Sequence, residues 1–259
     1  MHLQDRCFPR ILWIGLATCL VLMAAAAIKA ADEEATAQPP KPNLIPPTTQ
    51  PDCENGFTPI FNGKDLDDWV YGTSGNQMKR GIGYQVKPEE QIVYCTVKDG
   101  GNLYTKKEYA NFILRLEFKL TEAANNGIGI RAPLAGHASY MGMEIQVLDD
   151  YSPDYKNLRP EQYCGSVYDV FAAETGYLKP VGQWNSEEIM ADGRHVRVIL
   201  NGHVITDAHL HTVTDPKKLQ KHPGLLRKTG HIGFLGHDSA VEFRNLRIKE
   251  LPDTPATQP

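Results

Sequence analysis

One short stretch of the chain, GMEIQVLDD at residues 142–150, sets a carboxylate beside an amide on one face of a predicted strand. Side chains alternate between the two faces of a strand. The apolar face holds Met143, Ile145 and Val147. Glu144 and Gln146 share the other face, which suits acid–base chemistry on a sugar in a sheet cleft. The spacing also fits solvated side chains on an exposed face, and Asp149 reaches the polar face only through a bulge.

Three further residues are candidates for the same chemistry. Arg131, in GIGIR, could stabilise an oxyanion or form an ordinary cross-strand pair with Glu144. His137 and His237 lie in glycine-containing loops next to predicted strands. Such loops often carry binding residues, and histidine titrates near neutral pH, although a single loop histidine is more often plain surface. We predict His237 as a proton donor and His137 as a substrate contact.

Other side chains are candidates for substrate binding. The aromatic residues that could stack on sugar rings, or serve as core anchors, are Trp69, Tyr140, Tyr168 and Trp184. Asn126 lies in NNG, which is first of all a turn signal and secondly a possible sugar contact. Glu188, in QWNSEEI, is an outside candidate, and the Trp and Asn of this stretch suit a structural role in fixing a loop.

Metal and thiol chemistry have weaker signals. His209 and His211 share a strand face, as metal ligands can, but no acidic or cysteine partner was identified beside them. We predict no metal site and no cofactor, with a divalent cation left as an open alternative. The cysteines beyond the N-terminal segment are Cys53, Cys95 and Cys164, and their spacing is not that of a zinc site. One disulfide is possible among them, and the pairing stays open.

The N-terminal residues have the pattern of an export signal. A basic segment is followed by the apolar run ILWIGLATCLVLMAAAAI and then by small residues and acids. This pattern predicts a signal peptide over residues 1–31 and a secreted or periplasmic protein, with an uncleaved anchor as the alternative. Residues 32–53, rich in Pro, Thr and Gln, read as a flexible linker, and 252–259 as a similar tail. No membrane span is expected after signal removal.

The remaining residues, 54–251, suffice for one all-β domain. Short alternating strands separated by Gly and Asn turns indicate an antiparallel sandwich. Asn201-Gly202 is the strongest hairpin signal, and GHIGFLGH with VEFRNLRIKEL is expected to form a closing strand pair. The net charge is −4 and basic residues do not cluster, which argues against a nucleic-acid partner. The oligomeric state is left open.

Several stretches, in this order, resemble one bacterial family, the 3-keto-disaccharide hydrolase domain. Each stretch is weak alone, whereas the ordered set is specific and covers nearly all of residues 54–251. The stretches are GFTPIFNGKDLDDW, NLYTKKEYANFILRLEFKL, NNGIGIRAP, GMEIQVLDD, KPVGQWNSEEI, VILNGHVI and GHIGFLGHDSAVEFRNLRIKEL.

The resemblance implies a concanavalin A-like jelly-roll sandwich of two curved antiparallel sheets whose concave face holds a sugar. Laminarinase-type hydrolases of similar fold carry Glu-x-Asp-x-x-Glu on a bulged strand. The corresponding residues here are Glu144, Gln146 and Asp149, so an ordinary double displacement is not expected. The family's 3-keto substrates instead suggest removal of the proton on C2, elimination of the C1 substituent and addition of water.

The resemblance and this chemistry together suggest a role for each candidate. Glu144 is the expected base, Arg131 the enolate stabiliser and Gln146 a positioning group, with Asp149 or His237 supplying the proton. A carbohydrate-binding module without turnover and a protein-interaction domain of the laminin-G type are the competing interpretations. A pure binding module would tolerate Glu144→Gln, whereas an enzyme would lose rate.

Overall fold

The computed structural model of the protein describes residues 55–73, 83–96 and 100–252. The predicted signal peptide, the linker, nearly all of the tail, and Cys53 lie outside these ranges. Within them, no helix is long and apolar enough to cross a membrane. The described Cys95 and Cys164 are both buried free thiols.

The larger of the two sheets has eight strands among the described residues, and every pairing is antiparallel. Its order is β11-β10-β9-β6-β13-β4-β3, with β1 paired to β13. The strands are β1 Thr58–Pro59, β3 Tyr84–Lys87, β4 Ile92–Cys95, β6 Phe112–Leu120, β9 Trp184–Asp192, β10 His195–Leu200, β11 His203–His209 and β13 Val241–Glu250.

The smaller sheet has five strands in the described ranges, in the order β2-β5-β12-β7-β8, again all antiparallel. The strands are β2 Trp69–Gly72, β5 Asn102–Tyr109, β7 Asn125–Ala132, β8 Met143–Leu148 and β12 Gly230–Leu235. The predicted all-β jelly-roll class of two antiparallel sheets is confirmed. Because β8 is the last strand in this order, its outer edge must be covered by other residues.

One hydrophobic core fills the space between the sheets. Alternation supplies it from both sides, because β6 buries Phe112, Leu114, Leu116, Phe118 and Leu120. From the small sheet, β8 contributes Met143, Ile145 and Val147, each no more than 1% exposed. The predicted apolar face of β8 is therefore confirmed, and Glu144 and Gln146 lie on the face that points away from this core.

Two turn predictions have different outcomes. Asn201 and Gly202 both adopt positive φ, 51° and 88°, and join β10 to β11 as the predicted hairpin. The predicted closing pair of β12 and β13 is wrong, because β12 lies in the small sheet between β5 and β7, and β13 lies in the large one. Apolar and polar residues alternate in both strands, but this alternation does not determine which strand pairs with which.

Helices are short in the described part of the chain. The α-helices are α1 Ala138–Met141 and α2 Pro216–Lys221. Single 3-10 turns occupy Pro88–Glu90, Pro153–Tyr155, Pro160–Gln162, Leu210–Thr212 and Pro223–Leu226. α1 leads into β8, so the loop residues before that strand are carried to its polar face.

Candidate active site

A pocket of about 190 Å³ opens over the polar face of β8. Its lining combines residues of β7 and β8, of α1 and the loop before it, of the segment that follows β8, and of the β12–β13 loop. They are Asn125, His137, Ser139, Tyr140, Glu144, Gln146, Leu148, Tyr155, Leu158, Gln162, Tyr168 and His237. Carboxylate, amide, imidazole and phenol groups thus surround one concave space, as in small-molecule sites.

Glu144 is buried on the sheet side of this pocket, with only 2% of its surface exposed. Its Oε1 atom accepts no hydrogen bond from the described residues. The side chain lies across β7 at Gly127, where an added Cβ would stand 2.1 Å from Oε1. Any larger residue at position 127 would displace the carboxylate of Glu144. A buried carboxylate oxygen with no internal partner is costly, and it is available to a ligand.

Gln146 follows on the same face and is also buried. Its Nε2 donates to Asn125 Oδ1 at 3.3 Å, and its Oε1 has no hydrogen-bond partner in the described ranges. The amide is therefore oriented by the neighbouring strand β7. One of its polar atoms remains for a substrate hydroxyl.

His237 approaches from the loop between β12 and β13. Its Nε2 lies 3.9 Å from Glu144 Oε1, close for an ion pair but too long for a direct hydrogen bond. The Glu144 carboxylate raises the pKa of His237 above its ordinary value, more than burial lowers it. Base and acid candidates thus face one another in the same pocket.

The outer edge of β8 is covered by residues 165–168. Gly165 and Ser166 exchange backbone hydrogen bonds with Gln146, and the Tyr168 N–H donates to the Glu144 carbonyl at 2.9 Å. This pairing carries the ring of Tyr168 into the pocket lining. Gln162 Nε2 donates to the Tyr168 hydroxyl at 3.1 Å and holds it in place. The segment after β8 is thereby both the cover of a sheet edge and a wall of the site.

The opposite wall is formed by rings that contact one another. Tyr140 packs against His137 with ring centroids 5.3 Å apart, and edge-on against the buried His222 at 5.0 Å. The Nζ of Lys221 lies 5.5 Å from the Tyr140 ring centroid. Tyr140 is therefore fixed from behind by residues at the end of α2, and its exposed part can stack on a sugar ring.

Both walls are joined through Asp169, a buried residue next to Tyr168. Its carboxylate accepts from Lys221 and from His222 at 2.7 Å each, and from Arg159. Burial by itself would raise the pKa of Asp169, but these hydrogen bonds lower it below its ordinary value. An ionised Asp169 thus fastens the segment after β8 to the end of α2.

Arg131, the predicted enolate stabiliser, does not reach this pocket. It is 1% exposed and has a φ of +48°, which turns its side chain away from the simple alternation of β7. Its guanidinium donates to backbone carbonyls of Ala110 at 3.0 Å, Gly193 at 2.7 Å and Arg227 at 3.3 Å. The prediction that Arg131 and Glu144 meet in one cleft is wrong, because the guanidinium of Arg131 donates its hydrogen bonds to backbone carbonyls outside the pocket.

Asp149 and Asn126 also have structural positions outside the pocket lining. Asp149 Oδ2 accepts from the Ala123 N–H at 3.0 Å and stabilises the turn before β7. Its side chain has the parity of the core face, and the register of β7 with β8 continues without a shift up to Leu148. Asn126 is fully buried and donates to the Tyr84 hydroxyl at 3.2 Å, which links the two sheets.

Trp184 and Glu188 lie on β9 of the other sheet. Trp184 packs under the guanidinium of Arg244, 4.0 Å from the ring centroid. Glu188 forms a 2.7 Å ion pair with its cross-strand neighbour Arg115. Neither belongs to the pocket lining, so of the ten predicted site residues the structure brings together Glu144, Gln146, His137, Tyr140 and His237.

Sequence reasoning gave no site role to Tyr155, Leu158 or Gln162. They lie after β8 in a stretch without strand or helix periodicity, and only Tyr168 was noted there as an aromatic candidate. The density of Tyr and Pro between 151 and 168 was the available signal. Nothing local indicates that this stretch folds back along β8.

The sequence model of one protein family, described as the 3-keto-alpha-glucoside-1,2-lyase-like domain, matches residues 56–249. The match spans most of the chain and includes both sheets. The chain belongs to this family. Its recognition from the ordered sequence stretches is confirmed.

Relatives of known name agree with this assignment. A 3-keto-disaccharide hydrolase of Bacteroides thetaiotaomicron is 28% identical over 239 residues, covering 76% of this chain and 79% of its own. A candidate glycosyl hydrolase of Parabacteroides distasonis has a similar crystal structure, with a TM-score of 0.62 and 26% identity over 79% of this chain and 98% of its own. A galectin-like Bacillus subtilis protein, at 13% identity, a TM-score of 0.51, and 75% and 94% coverage, shares the fold alone.

Membership of the 3-keto-alpha-glucoside-1,2-lyase-like family makes this chain a carbohydrate-active, glycosyl hydrolase-like domain. The pocket over β8 is its candidate active site. In that pocket Glu144 Oε1 and His237 Nε2 lie 3.9 Å apart.

Proposed function

We propose that this protein cleaves the glycosidic bond of 3-keto-glycosides, such as 3-keto-disaccharides, by elimination followed by hydration. The observation that carries the proposal is the contact between the buried carboxylate of Glu144 and the imidazole of His237. One group is suited to take a proton and the other to give one. The family and the 3-keto-disaccharide hydrolase of Bacteroides thetaiotaomicron support the choice of substrate.

In the first step Glu144 removes the hydrogen on C2 of the keto sugar. The ketone at C3 makes this hydrogen acidic, because the electron pair of the broken C–H bond moves into an enolate on C3 oxygen. General base catalysis needs the base within hydrogen-bond reach of that proton. Glu144 lines the pocket, and its Oε1, which has no hydrogen-bond partner among the described residues, would act as that base for a ring bound over β8.

In the second step the enolate collapses and the bond from C1 to the leaving oxygen breaks. A double bond forms between C1 and C2, conjugated with the ketone, and the leaving oxygen takes a proton from the His237 imidazolium. Water then adds across the double bond: its hydroxyl bonds to C1, and Glu144, after its proton has exchanged with solvent, returns a proton to C2. The sum is hydrolysis, and both residues return to their starting states after His237 regains a proton from water.

Since Arg131 lies elsewhere, the enolate oxygen requires other donors. The pocket lining offers the Gln146 amide, the Tyr168 hydroxyl and the His137 ring. These are weaker donors than a guanidinium, and preorganised donors of this kind act strongly in a water-poor site. Tyr140 and Tyr155 supply aromatic faces for the sugar ring.

The decisive experiment compares Glu144→Gln with Glu188→Gln. The second variant is the matched control, since it removes a carboxylate on the other sheet that pairs with Arg115. With 3-keto-trehalose or 3-keto-sucrose as substrate, we expect Glu144→Gln to lower kcat by about 10²-fold or more and Glu188→Gln to leave it near wild type. Unoxidised trehalose and sucrose should not react, and turnover in deuterated water should place deuterium at C2.

Three results would contradict this proposal in distinguishable ways. Full turnover by Glu144→Gln would remove that residue as the base. Turnover without deuterium at C2 would remove the elimination route. Binding of the keto sugar with equal affinity by both variants, with no turnover by the wild type, would instead identify a carbohydrate-binding module.

We also propose that the protein is exported, with cleavage near residues 26–31. The basic and apolar pattern of the first thirty residues supports this proposal. Mass spectrometry of the N-terminus of protein recovered from the extracytoplasmic fraction tests it. Recovery of an intact Met1 from the cytoplasmic fraction would contradict it.

A further inference from the structure

A second cluster of chemically capable side chains lies on the large sheet, away from the pocket over β8. It consists of His195 on β10, and of Asp207 and His209 on the edge strand β11. His195 and His209 are direct partners in the strand register, and Asp207 lies two residues before His209 on the same outward face. The β10–β11 hairpin therefore brings three potential metal ligands to one spot, and the expectation that His209 has no acidic partner beside it is wrong.

The ligand atoms of this cluster converge. One nitrogen or oxygen from each residue lies within 4.8 Å of the other two. His195 Nε2 is in direct contact with Asp207 Oδ1, and His209 Nε2 lies 4.0 Å from the same oxygen. The two imidazole rings stack in parallel, with centroids 4.3 Å apart and planes at 15°. Because the lone pair of an imidazole nitrogen lies in the ring plane, at least one ring must turn out of this stack for both nitrogens to bind one ion.

These distances are compatible with a shared ion. Zinc binds histidine nitrogen and carboxylate oxygen at about 2.0–2.2 Å in a tetrahedral arrangement, so two ligand atoms of one ion lie roughly 3.4 Å apart. A side-chain rotation must shorten the widest separation in the cluster to that distance. The side chains of Asp207 and His209 are 55% and 52% exposed, so they are free to make it. The ring centroid of His211 lies 5.6 Å from that of His209, outside this group of three.

The charges around the cluster influence which ion is suitable. Asp207 contributes the carboxylate of the cluster, and its Oδ1 is in direct contact with His195 Nε2. Arg197, the register partner of Asp207, adds a positive charge that opposes a cation. Two imidazoles with one carboxylate select ions that accept nitrogen ligands, and Mg²⁺ and Ca²⁺ prefer an all-oxygen set.

We propose that His195, Asp207 and His209 form a binding site for a divalent transition-metal ion, with Zn²⁺ as the preferred occupant. The ion would join β10 to the edge strand β11 and stabilise the hairpin. The site is separate from the pocket in residues and in sheet, so it does not depend on the reaction proposed above.

Isothermal titration calorimetry on the purified protein, without a polyhistidine tag and after removal of metal by EDTA, tests this site. We expect one Zn²⁺ per chain and no measurable heat from Mg²⁺. His195→Ala and His209→Ala should each weaken Zn²⁺ binding at least about tenfold, the lower range found even for residues that only support metal ligands. His203→Ala is the matched control on β11, since its ring stacks on Tyr177 at 4.4 Å and lies outside the cluster.

A thermal melt provides the second readout. Zn²⁺ should raise the Tm of the wild type and of His203→Ala, and should leave those of His195→Ala and His209→Ala unchanged, because a ligand that binds the folded state stabilises it. The proposal fails if the wild type binds no Zn²⁺. It also fails if the two cluster variants, folded by circular dichroism, bind Zn²⁺ as tightly as the control does.

Discussion

At the scale of single residues, the position of Glu144 depends on the absence of a side chain at Gly127. A Cβ added at residue 127 would stand 2.1 Å from Glu144 Oε1, so the carboxylate occupies the space that a side chain at this position would need. Gly129 on the same strand is less restricted, since its nearest contact would be Leu235 Cδ2 at 3.2 Å. The two glycines therefore separate the effect of displacing Glu144 from that of adding a methyl group to β7.

Gly127→Ala should lower kcat/KM on a 3-keto-disaccharide by about 10²-fold, because a shift of about 1 Å in a reacting group has that effect. Gly129→Ala is the control and should lose far less. Steady-state kinetics on both variants, with circular dichroism to verify the fold, provide the measurement. Equal losses in the two variants would contradict a specific role for Gly127.

His237 allows a prediction about pH. Glu144 raises the pKa of this imidazole above the ordinary value of about 6.5. Because the protonated form is the proposed acid, kcat should fall as pH increases through that raised pKa. Glu144→Gln removes the carboxylate, so the pKa of His237 should fall. An NMR titration of the His237 ring in both proteins measures it, with His237→Gln assigning the resonance, and an unchanged pKa would contradict the coupling.

At the scale of elements, Arg131 illustrates how one side chain joins several turns. Its bonds to Ala110 and Asn111 hold the β5–β6 turn, and its bond to Gly193 holds the β9–β10 turn. Arg227 Nε in turn donates to the Arg131 carbonyl at 2.9 Å. The end of β7 is thus connected to the large sheet by a buried guanidinium.

Arg131→Met should lower the free energy of unfolding by roughly 2–4 kcal/mol, since it leaves buried carbonyl groups without a donor. The KM and kcat of the folded variant should stay near wild type, because the residue does not line the pocket. Urea unfolding and steady-state kinetics measure the two effects. If the variant had normal stability and a large loss in kcat, Arg131 would have a role in catalysis, and this prediction would be wrong.

At the scale of the whole molecule, the core contains a carboxyl group that has no partner in the described part of the chain. Glu187 of β9 is 2% exposed, lies between Leu116 and Leu200 in the register, and neither carboxylate oxygen has a hydrogen bond in the described ranges. Burial raises the pKa of Glu187 to about 8. The folded protein therefore keeps this carboxyl protonated at neutral pH.

Stability should fall as pH increases from about 4.5 to about 8, since the unfolded chain releases the Glu187 proton first. Below that window both states hold the proton, so the full stability is present. The loss is at most of the order of 5 kcal/mol, and Glu187→Gln should remove this part of the pH dependence. Urea unfolding at pH 5, 6.5 and 8 measures it. Parallel curves for the two proteins would contradict a raised pKa.

Sequence alone determined the features that depend on local periodicity. The alternation of β8 assigned Met143 to the core and Glu144 with Gln146 to the other face, because side chains on a strand change faces at every residue. Asn201-Gly202 predicted its hairpin because both residues accept positive φ. These outcomes need no information about distant residues.

Only the tertiary structure determines which distant residues and strands lie next to one another. Arg131 has a positive φ, and its side chain does not lie on the face that simple alternation predicts. The strands β12 and β13 lie in different sheets, because an alternating pattern does not determine which strand is the partner. The wall containing Tyr168 required residues 165–168 to return along the edge of β8. Such contacts depend on hydrogen bonds between residues that are far apart in the chain, so a local sequence pattern cannot predict them.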